Sequence, residues 1–185
     1  MIGYCFCGSF CTFERSFKVL KELVKVYYVQ PVMSFNAATT DTRFGLASDH
    51  VRYVTELCGR PPVLTIADAE PLGPKTPLDA MVVAPCTGNT LAKLALGITD
   101  TPVTMAVKAH MRQSRPLLIA LATNDALSAN LKNISAMLEK KSVYFVPMRQ
   151  DDVVKKPHSL VCELEMIPDC LSDALLGKQK RPLFL

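Results

Sequence analysis

The sequence predicts an α/β fold, a mostly parallel sheet covered by helices on both faces. Three observations lead there. Short apolar runs alternate with stretches of helical periodicity along most of the chain. Most of those runs are continuously apolar, as expected of strands buried on both sides. Glycine, proline and small polar residues punctuate the joints between them. Such sheets are built with right-handed crossovers. They bind ligands outside the carboxyl ends of the strands, where the strand order reverses.

Taken in order, Ile2 to Cys7 is the first apolar run, closed by Gly8-Ser9. From Thr12 to Val26, Phe13, Phe17, Leu20, Leu23 and Val24 recur at helical spacing, with Thr12 or Ser9 as N-cap. Tyr27 to Met33 is β-branched and aromatic, a second strand that ends at Ser34. The following FNAATTDTRFG, residues 35–45, is small and polar and predicts a loop. Leu46 to Cys58 predicts a helix stopped by Gly59. Prolines at 61, 62, 71, 74 and 77 break up the next stretch, leaving room only for a short strand at Val63–Ile66.

Ala80 to Ala84 predicts a central strand, broken by Pro85. Asn89 to Ile98 predicts a helix with Gly97 near its end. Pro102 to Lys108 fits strand or helix equally. Leu117–Leu121 is another buried strand, Leu127–Leu138 a helix, and Val143–Val146 a last strand stopped by Pro147. Asp169–Leu176 gives a final helix before Gly177, and the tail 177–185 is expected to be extended, loose or packed on a neighbouring chain.

The 185 residues predict one domain, 1–185, with an apolar fraction of 49% that fits a large core or burial between subunits. Net charge is +4, yet no basic run exceeds two residues, which argues against a nucleic-acid surface. No apolar run approaches the ~18 residues of a membrane span. The apolar N-terminus has its first cation at Arg15, so it lacks the positive start of a signal peptide, and a cytoplasmic location is expected. Seven cysteines form no C-x-x-C, and the three histidines sit near no cysteine pair, so neither a disulfide framework nor a metal site is expected. Buried thiols acting as small apolar residues is the simpler reading.

Four predicted strand ends carry small polar residues: Gly8-Ser9-Phe10, Ser34 with Asn36, Thr87-Gly88-Asn89-Thr90, and Thr123-Asn124-Asp125. Helix capping favours such residues whatever the function. Four together favour one shared ligand that is flat, hydrogen-bonding and carries a phosphate, which helix N-termini bind. A dinucleotide is disfavoured, because the first turn is not G-x-G-x-x-G and no acidic residue closes the second strand. There is no G-x-x-x-x-G-K-[ST] and no G-x-S-x-G.

These residues carry a resemblance. Gly8-Ser9, the block APCTGNT (84–90) with KLALGI (93–98) behind it, and Ala122-Thr123-Asn124 resemble the flavoprotein family of homo-oligomeric, flavin-containing cysteine decarboxylases. The resemblance implies a three-layer Rossmann-like fold, bound FMN, and trimers that assemble further with flavin where the chains meet. On TTDTRFG (39–45), AEPLGPK (69–75), ATNDALSANLKN (122–133) and YFVPMRQDD (144–152) it narrows to one branch of the family. Members of that branch, from spore-forming bacteria, work with a second subunit that carries NAD(P). Together they make a pyridine dicarboxylate from a dihydro or hydroxy-tetrahydro precursor of the lysine pathway.

Carried over by position, Gly8, Ser9 and Phe10 meet the FMN phosphate side and Ser34 sits near the same cofactor. Thr87, Gly88, Asn89 and Thr90 line the ribityl chain and ring edge. Thr123 and Asn124 stand where the family has a Met-Asn pair beside flavin and substrate. The decarboxylases' histidine ahead of the A-P pair is replaced by Pro71, and no histidine lies between 51 and 109, which argues against decarboxylation. For the dicarboxylate substrate, Arg43 is the first choice of clamp, with Thr40 and Thr42 adding hydroxyls. Asp41 then orients Arg43 or serves as general base. Arg112 and Arg115 are a second clamp candidate, and Asp151-Asp152 with Lys155-Lys156 reads as solvated surface. Beside an oxidoreductase or dehydratase subunit, two other functions fit the pattern: an FMN-dependent decarboxylase, and a scaffold subunit without catalysis.

Overall fold

The computed structural model describes all 185 residues, Met1–Leu185. Its strands are β1 (Ile2–Phe6), β2 (Val29–Met33), β3 (Ala80–Cys86), β4 (Leu117–Thr123), β5 (Val143–Phe145), β6 (Met148–Gln150) and β7 (Leu160–Cys162). Its helices are α1 (Phe13–Leu23), α2 (Phe35–Thr39), α3 (Ala47–Cys58), α4 (Ile66–Ala69), α5 (Gly88–Leu96), α6 (Pro102–Met111), α7 (Leu131–Leu138) and α8 (Ile167–Leu175). The sheet runs β2-β1-β3-β4-β7-β6, and β5 also pairs with β4.

β2, β1, β3, β4 and β5 are mutually parallel. Every residue of β1 and β3 is buried, which is why these runs carry no polar alternation. Helices α1 and α8 pack together against β3 and β4, while α6 packs with α4 and α5 against β2 and β3. The buried apolar residues form one cluster of 47. Burying each Leu, Ile or Phe there contributes roughly 1.5–3 kcal/mol relative to exposure. Tyr4 anchors the polar part of this core. Its hydroxyl pairs with Ser16 Oγ at 2.9 Å, and Ser16 Oγ donates to the Ala84 carbonyl at 2.8 Å, tying α1 to two strands.

The chain leaves β1 for β2 on one side, then crosses back to β3 on the other. Strand order therefore reverses between β1 and β3, and the crevice beyond their carboxyl ends is the place this topology offers a ligand.

Several sequence expectations are corrected. Pro85 does not break the central strand; β3 runs on to Cys86 with a register shift after Val83. Proline lacks only a donor, and its carbonyl still accepts from Cys7 N–H at 3.2 Å. Within the expected loop 35–45, Phe35–Thr39 is the short helix α2, capped by Ser34 Oγ, which accepts from Ala37 N–H at 3.2 Å. Val63 makes only an isolated bridge to Val32, and Ile66 opens α4. Pro102 begins a helix, closed at its start by a capping box between Thr101 and Thr104. α7 starts at Leu131 rather than Leu127, because residues 124–130 are held in turns by Asp125.

β6 and β7 form an antiparallel pair at the sheet end. The tail is not loose but tied back to its own chain. Gln179 bonds both backbone groups of Phe145, at 2.8 and 2.7 Å, and Leu183 O accepts from Met148 N–H at 2.8 Å.

Candidate functional site

A cleft of about 370 Å³ opens at the crevice between β1 and β3. Gly8 enters it from the turn after β1, and Ser34, Phe35 and Asn36 from the turn after β2. Thr87, Asn89, Thr90 and Lys93 come from the first turns of α5, and Asp100 and Thr101 from the loop before α6. Phe35 is the one apolar side chain among them.

The local chemistry fixes these groups. Thr87 is the N-cap of α5: its Oγ1 accepts from Thr90 N–H at 3.2 Å and donates to Thr90 Oγ1 at 3.0 Å. The amides of Gly88 and Asn89, in the first turn, have no carbonyl four residues back in the helix to donate to. The positive end of the α5 dipole adds to them. Lys93 lies one turn after Asn89, and its ammonium donates to both oxygens of Asp100, at 2.9 and 2.8 Å. The polar wall of the cleft is thus built from hydroxyls, free amides and one internally neutralised ion pair.

Behind α5 lies a second polar network. Thr123 Oγ1 donates to Asp125 Oδ1 at 2.6 Å, Asn130 Nδ2 donates to both Asp125 oxygens at 2.9 Å, and Asn133 Nδ2 donates to Asn130 Oδ1 at 2.8 Å. The Thr123 hydroxyl, assisted by Asn130, holds the Asp125 carboxyl below the usual carboxylate range against a smaller opposing effect of burial. Gly88 abuts this network. A Cβ there falls 2.5 Å from both Asn130 Nδ2 and Thr123 Oγ1 and 2.8 Å from Asp125 Oδ1. Gly8 differs: it has no positive φ, and a Cβ there meets only ordinary contacts, at 3.6 Å to Phe10 and 3.7 Å to Asn36. The turn does not require glycine at this position, and the missing side chain leaves space in the cleft.

Of the residues singled out from sequence, Gly8, Ser34, Asn36, Thr87, Asn89 and Thr90 meet in the cleft. Ser9 and Phe10 stand beside Gly8 without lining it, and Gly88 and Thr123 form the wall behind. Asn124 is exposed next to Asp125. Asp41 and Arg43 lie in the loop after α2, outside the lining. Asp41 does not orient Arg43. Its Oδ1 accepts from Ala47 N–H at 2.8 Å, where it secures the start of α3. Arg43 makes no ion pair and stacks over Phe44 at 4.9 Å.

Arg112 and Arg115 do not form one clamp. Arg115 donates to the Leu78 carbonyl and faces Asp79, whereas Arg112 lines a separate hollow. The sequence reading missed Phe35, Lys93, Asp100 and Thr101. For Lys93 a signal existed, since i,i+4 spacing puts it on the face of Asn89.

No imidazole lines the cleft. His110 is buried on α6 with Nε2 at 2.9 Å from the Pro116 carbonyl, and burial pushes its pKa down. His50 packs against Phe13 and Phe17. Cys7 is buried near Thr90, and burial pushes its thiol up to about 11, with Cys58 likewise at about 11. These thiols stay protonated and serve as packing. No group of three or more His, Cys, Asp or Glu side chains is placed to hold a metal ion, and no helix is long and apolar enough to cross a membrane.

Comparison with known proteins gives consistent results. The family model described as Flavoprotein matches residues 1–172. The chain is 43% identical over 185 residues to the dipicolinate synthase B chain of Bacillus subtilis (strain 168), covering all of this chain and 92% of that protein. Among solved structures, the dipicolinate synthase B chain from Bacillus halodurans C superposes with a TM-score of 0.91 at 39% identity, covering 100% of this chain and 95% of that one. A dodecameric FMN-dependent Ubix-like decarboxylase from Escherichia coli O157:H7 has a TM-score of 0.63 at 25% identity, with 79% of each chain covered.

Proposed function

The chain belongs to the flavoprotein family, and from that premise we propose that it is the B chain of a dipicolinate synthase that binds FMN in the cleft between β1 and β3. The full-length likeness to two such B chains supports the first half of this reading. The observation that carries the second is the meeting of Gly8, Ser34, Thr87, Asn89 and Thr90 at one rim of the sheet. With a nicotinamide-binding A chain as partner, the protein forms dipicolinate from a dihydro or hydroxy-tetrahydro precursor during sporulation. Its own share is an oxidation or a dehydration. It works in a homo-oligomer, as the dodecameric relative does.

The residues present fit the polar half of FMN. The first amides of α5 and the Ser34 and Thr87 hydroxyls suit a phosphate and a ribityl chain. Phe35 alone offers an apolar surface to the ring. FMN, when bound, supplies hydride acceptance. The chain's own residues do the remaining work. The Thr87–Thr90 pair fixes the hydroxyls, Asn89 presents an amide to the cofactor, and the Lys93–Asp100 pair shapes the far wall without adding net charge. Arg43, free of any carboxylate of the chain, receives a substrate carboxylate, with Thr40 and Thr42 beside it. Asn124 offers an amide near the same rim, and the second oxygen of Asp41 remains open as a base.

The test is a flavin titration of the purified chain, with turnover measured after the nicotinamide-binding partner is added. Uptake of FMN by the wild type, and its loss in Asn89→Ala at unchanged thermal stability, is the expected result. A wild-type chain that takes up no added FMN while the complex still makes dipicolinate overturns the flavin half of the proposal.

A further inference from the structure

On the other side of the loop that walls the cleft lies a second hollow, of about 300 Å³, between α5, α6 and the end of α7. Its apolar lining is Leu94, Ile98, Val107 and Met111, and its rim carries three cations, Lys108, Arg112 and Lys140. No acidic side chain lines it. None of the three cations joins an ion pair, unlike Lys18, Lys25, Arg52 and Lys93, each of which holds a carboxylate. Glu139, beside Lys140, is turned to Ser135, whose hydroxyl donates to it at 3.4 Å.

Cations at helix C-termini offset the dipole of their own helix, which is reason enough for one of them. It does not explain three on two walls with no counter-charge above an apolar floor. Lys108 and Arg112 are four residues apart and share one face of α6. Lys140 stands on the α7 wall. A ligand satisfying both walls has an apolar, flat middle and an anionic group at each side.

We infer that this hollow binds a ring-bearing dicarboxylate. The step from that class to pyridine-2,6-dicarboxylate, the product, rests on the proposed function. The hollow and the cleft share a partition. Gly97, Ile98 and Thr99 face the hollow, and Asp100 and Thr101 face the cleft. Thr104 of the hollow bonds Thr101 of the cleft, hydroxyl to hydroxyl at 2.8 Å. A product molecule here sits one loop away from the cofactor cleft.

Calorimetric titration of the intact purified protein tests this, with pyridine-2,6-dicarboxylate and benzene-1,3-dicarboxylate as probes and benzoate and sulfate as comparisons. Expected is one site per chain for each dicarboxylate, at least about tenfold tighter than benzoate or sulfate, since each lost charge-assisted contact costs that much or more. K108Q/R112Q and K140Q, all at exposed positions, weaken it by at least about tenfold, and Asn89→Ala leaves it unchanged.

The inference is overturned by absence of binding, by sulfate binding as well as the dicarboxylates, or by binding that survives the cation variants and disappears in Asn89→Ala. In that last case the dicarboxylate occupies the cleft. FMN titration of the same proteins keeps the two readings apart. Wild type that binds dicarboxylate through the cations but takes up no FMN retains the hollow and refutes only the flavin cleft.

Discussion

Two glycines at the same rim make opposite predictions. In Gly88→Ala the new methyl lies 2.5 Å from Asn130 Nδ2 and Thr123 Oγ1 and 2.8 Å from Asp125 Oδ1. Thr123 and Asn130 both hydrogen-bond to Asp125, so moving any one of them disturbs the network. Overpacking costs about 1–3 kcal/mol, and displacing a hydrogen bond to a carboxylate about 1.5–3 kcal/mol. The better helix propensity of alanine returns at most about 1 kcal/mol. The net loss is roughly 1.5–5 kcal/mol, a fall in Tm of at least roughly 3 °C for a chain of this size.

In Gly8→Ala the methyl meets nothing closer than 3.6 Å, and the backbone needs no glycine there. Stability is then kept within about 0.5 kcal/mol, but the methyl stands beside Asn36 inside the cleft and FMN affinity falls at least about tenfold. Thermal unfolding and flavin fluorescence titration of both variants check this. A Gly88→Ala protein as stable as wild type, or a Gly8→Ala protein that binds FMN normally, refutes the account of what each glycine does. Combining Gly88→Ala with Asn130→Ala isolates the clash, because costs that share one network do not add.

Other outcomes follow from single contacts. Ser34→Ala removes the cap of α2 and costs about 1 kcal/mol, read by chemical denaturation. Asp125 has a folded pKa below its unfolded value of about 3.9, so its contribution is complete above that pH and is lost as pH falls through the folded pKa. An acid titration of Asp125→Asn lacks that acid-side loss, and an unchanged profile counts against the network. Gln179→Ala releases the tail from Phe145, and hydrogen exchange at 179–185 rises while FMN binding stays as in wild type.

The parallel core was legible because burial on both faces leaves an unbroken apolar run, as in Met81-Val82-Val83-Ala84. β6 and β7 were not, because strands of three residues carry no period and their pairing is decided by β4 and the tail. Pro85 misled, since proline forbids only the donor side of a ladder and the acceptor side was in use. The helix at Pro102 was left open between strand and helix, although Thr101-Pro102 and the Thr three positions on carried its signal, a cap followed by proline at the first turn. At the site, six hydroxyl, amide and glycine positions were legible from strand ends. Asp100 was not, because it lies in the loop before α6 rather than at a strand end and meets the site through its pairing with Lys93.

Capping and ligand binding look like competing explanations of the same residues, and here they are one arrangement. Ser34 and Thr87 each accept a bond from their own helix. That bond holds the hydroxyl in one rotamer, and a hydroxyl oxygen retains a second lone pair for a partner. The cap also starts each helix so that its first amides point outward unpaired. For α5 those amides stand at the crevice where the strand order reverses. A phosphate arriving there finds donors already oriented, so little ordering cost is left to binding. The same geometry explains why the cleft holds no unpaired cation. With Lys93 neutralised by Asp100 and Asp125 shielded behind Gly88 by Thr123 and Asn130, the amides and the helix dipole are the net attraction for an anion. The affinity for a phosphorylated ligand should therefore depend less on ionic strength than a lysine-built phosphate site does.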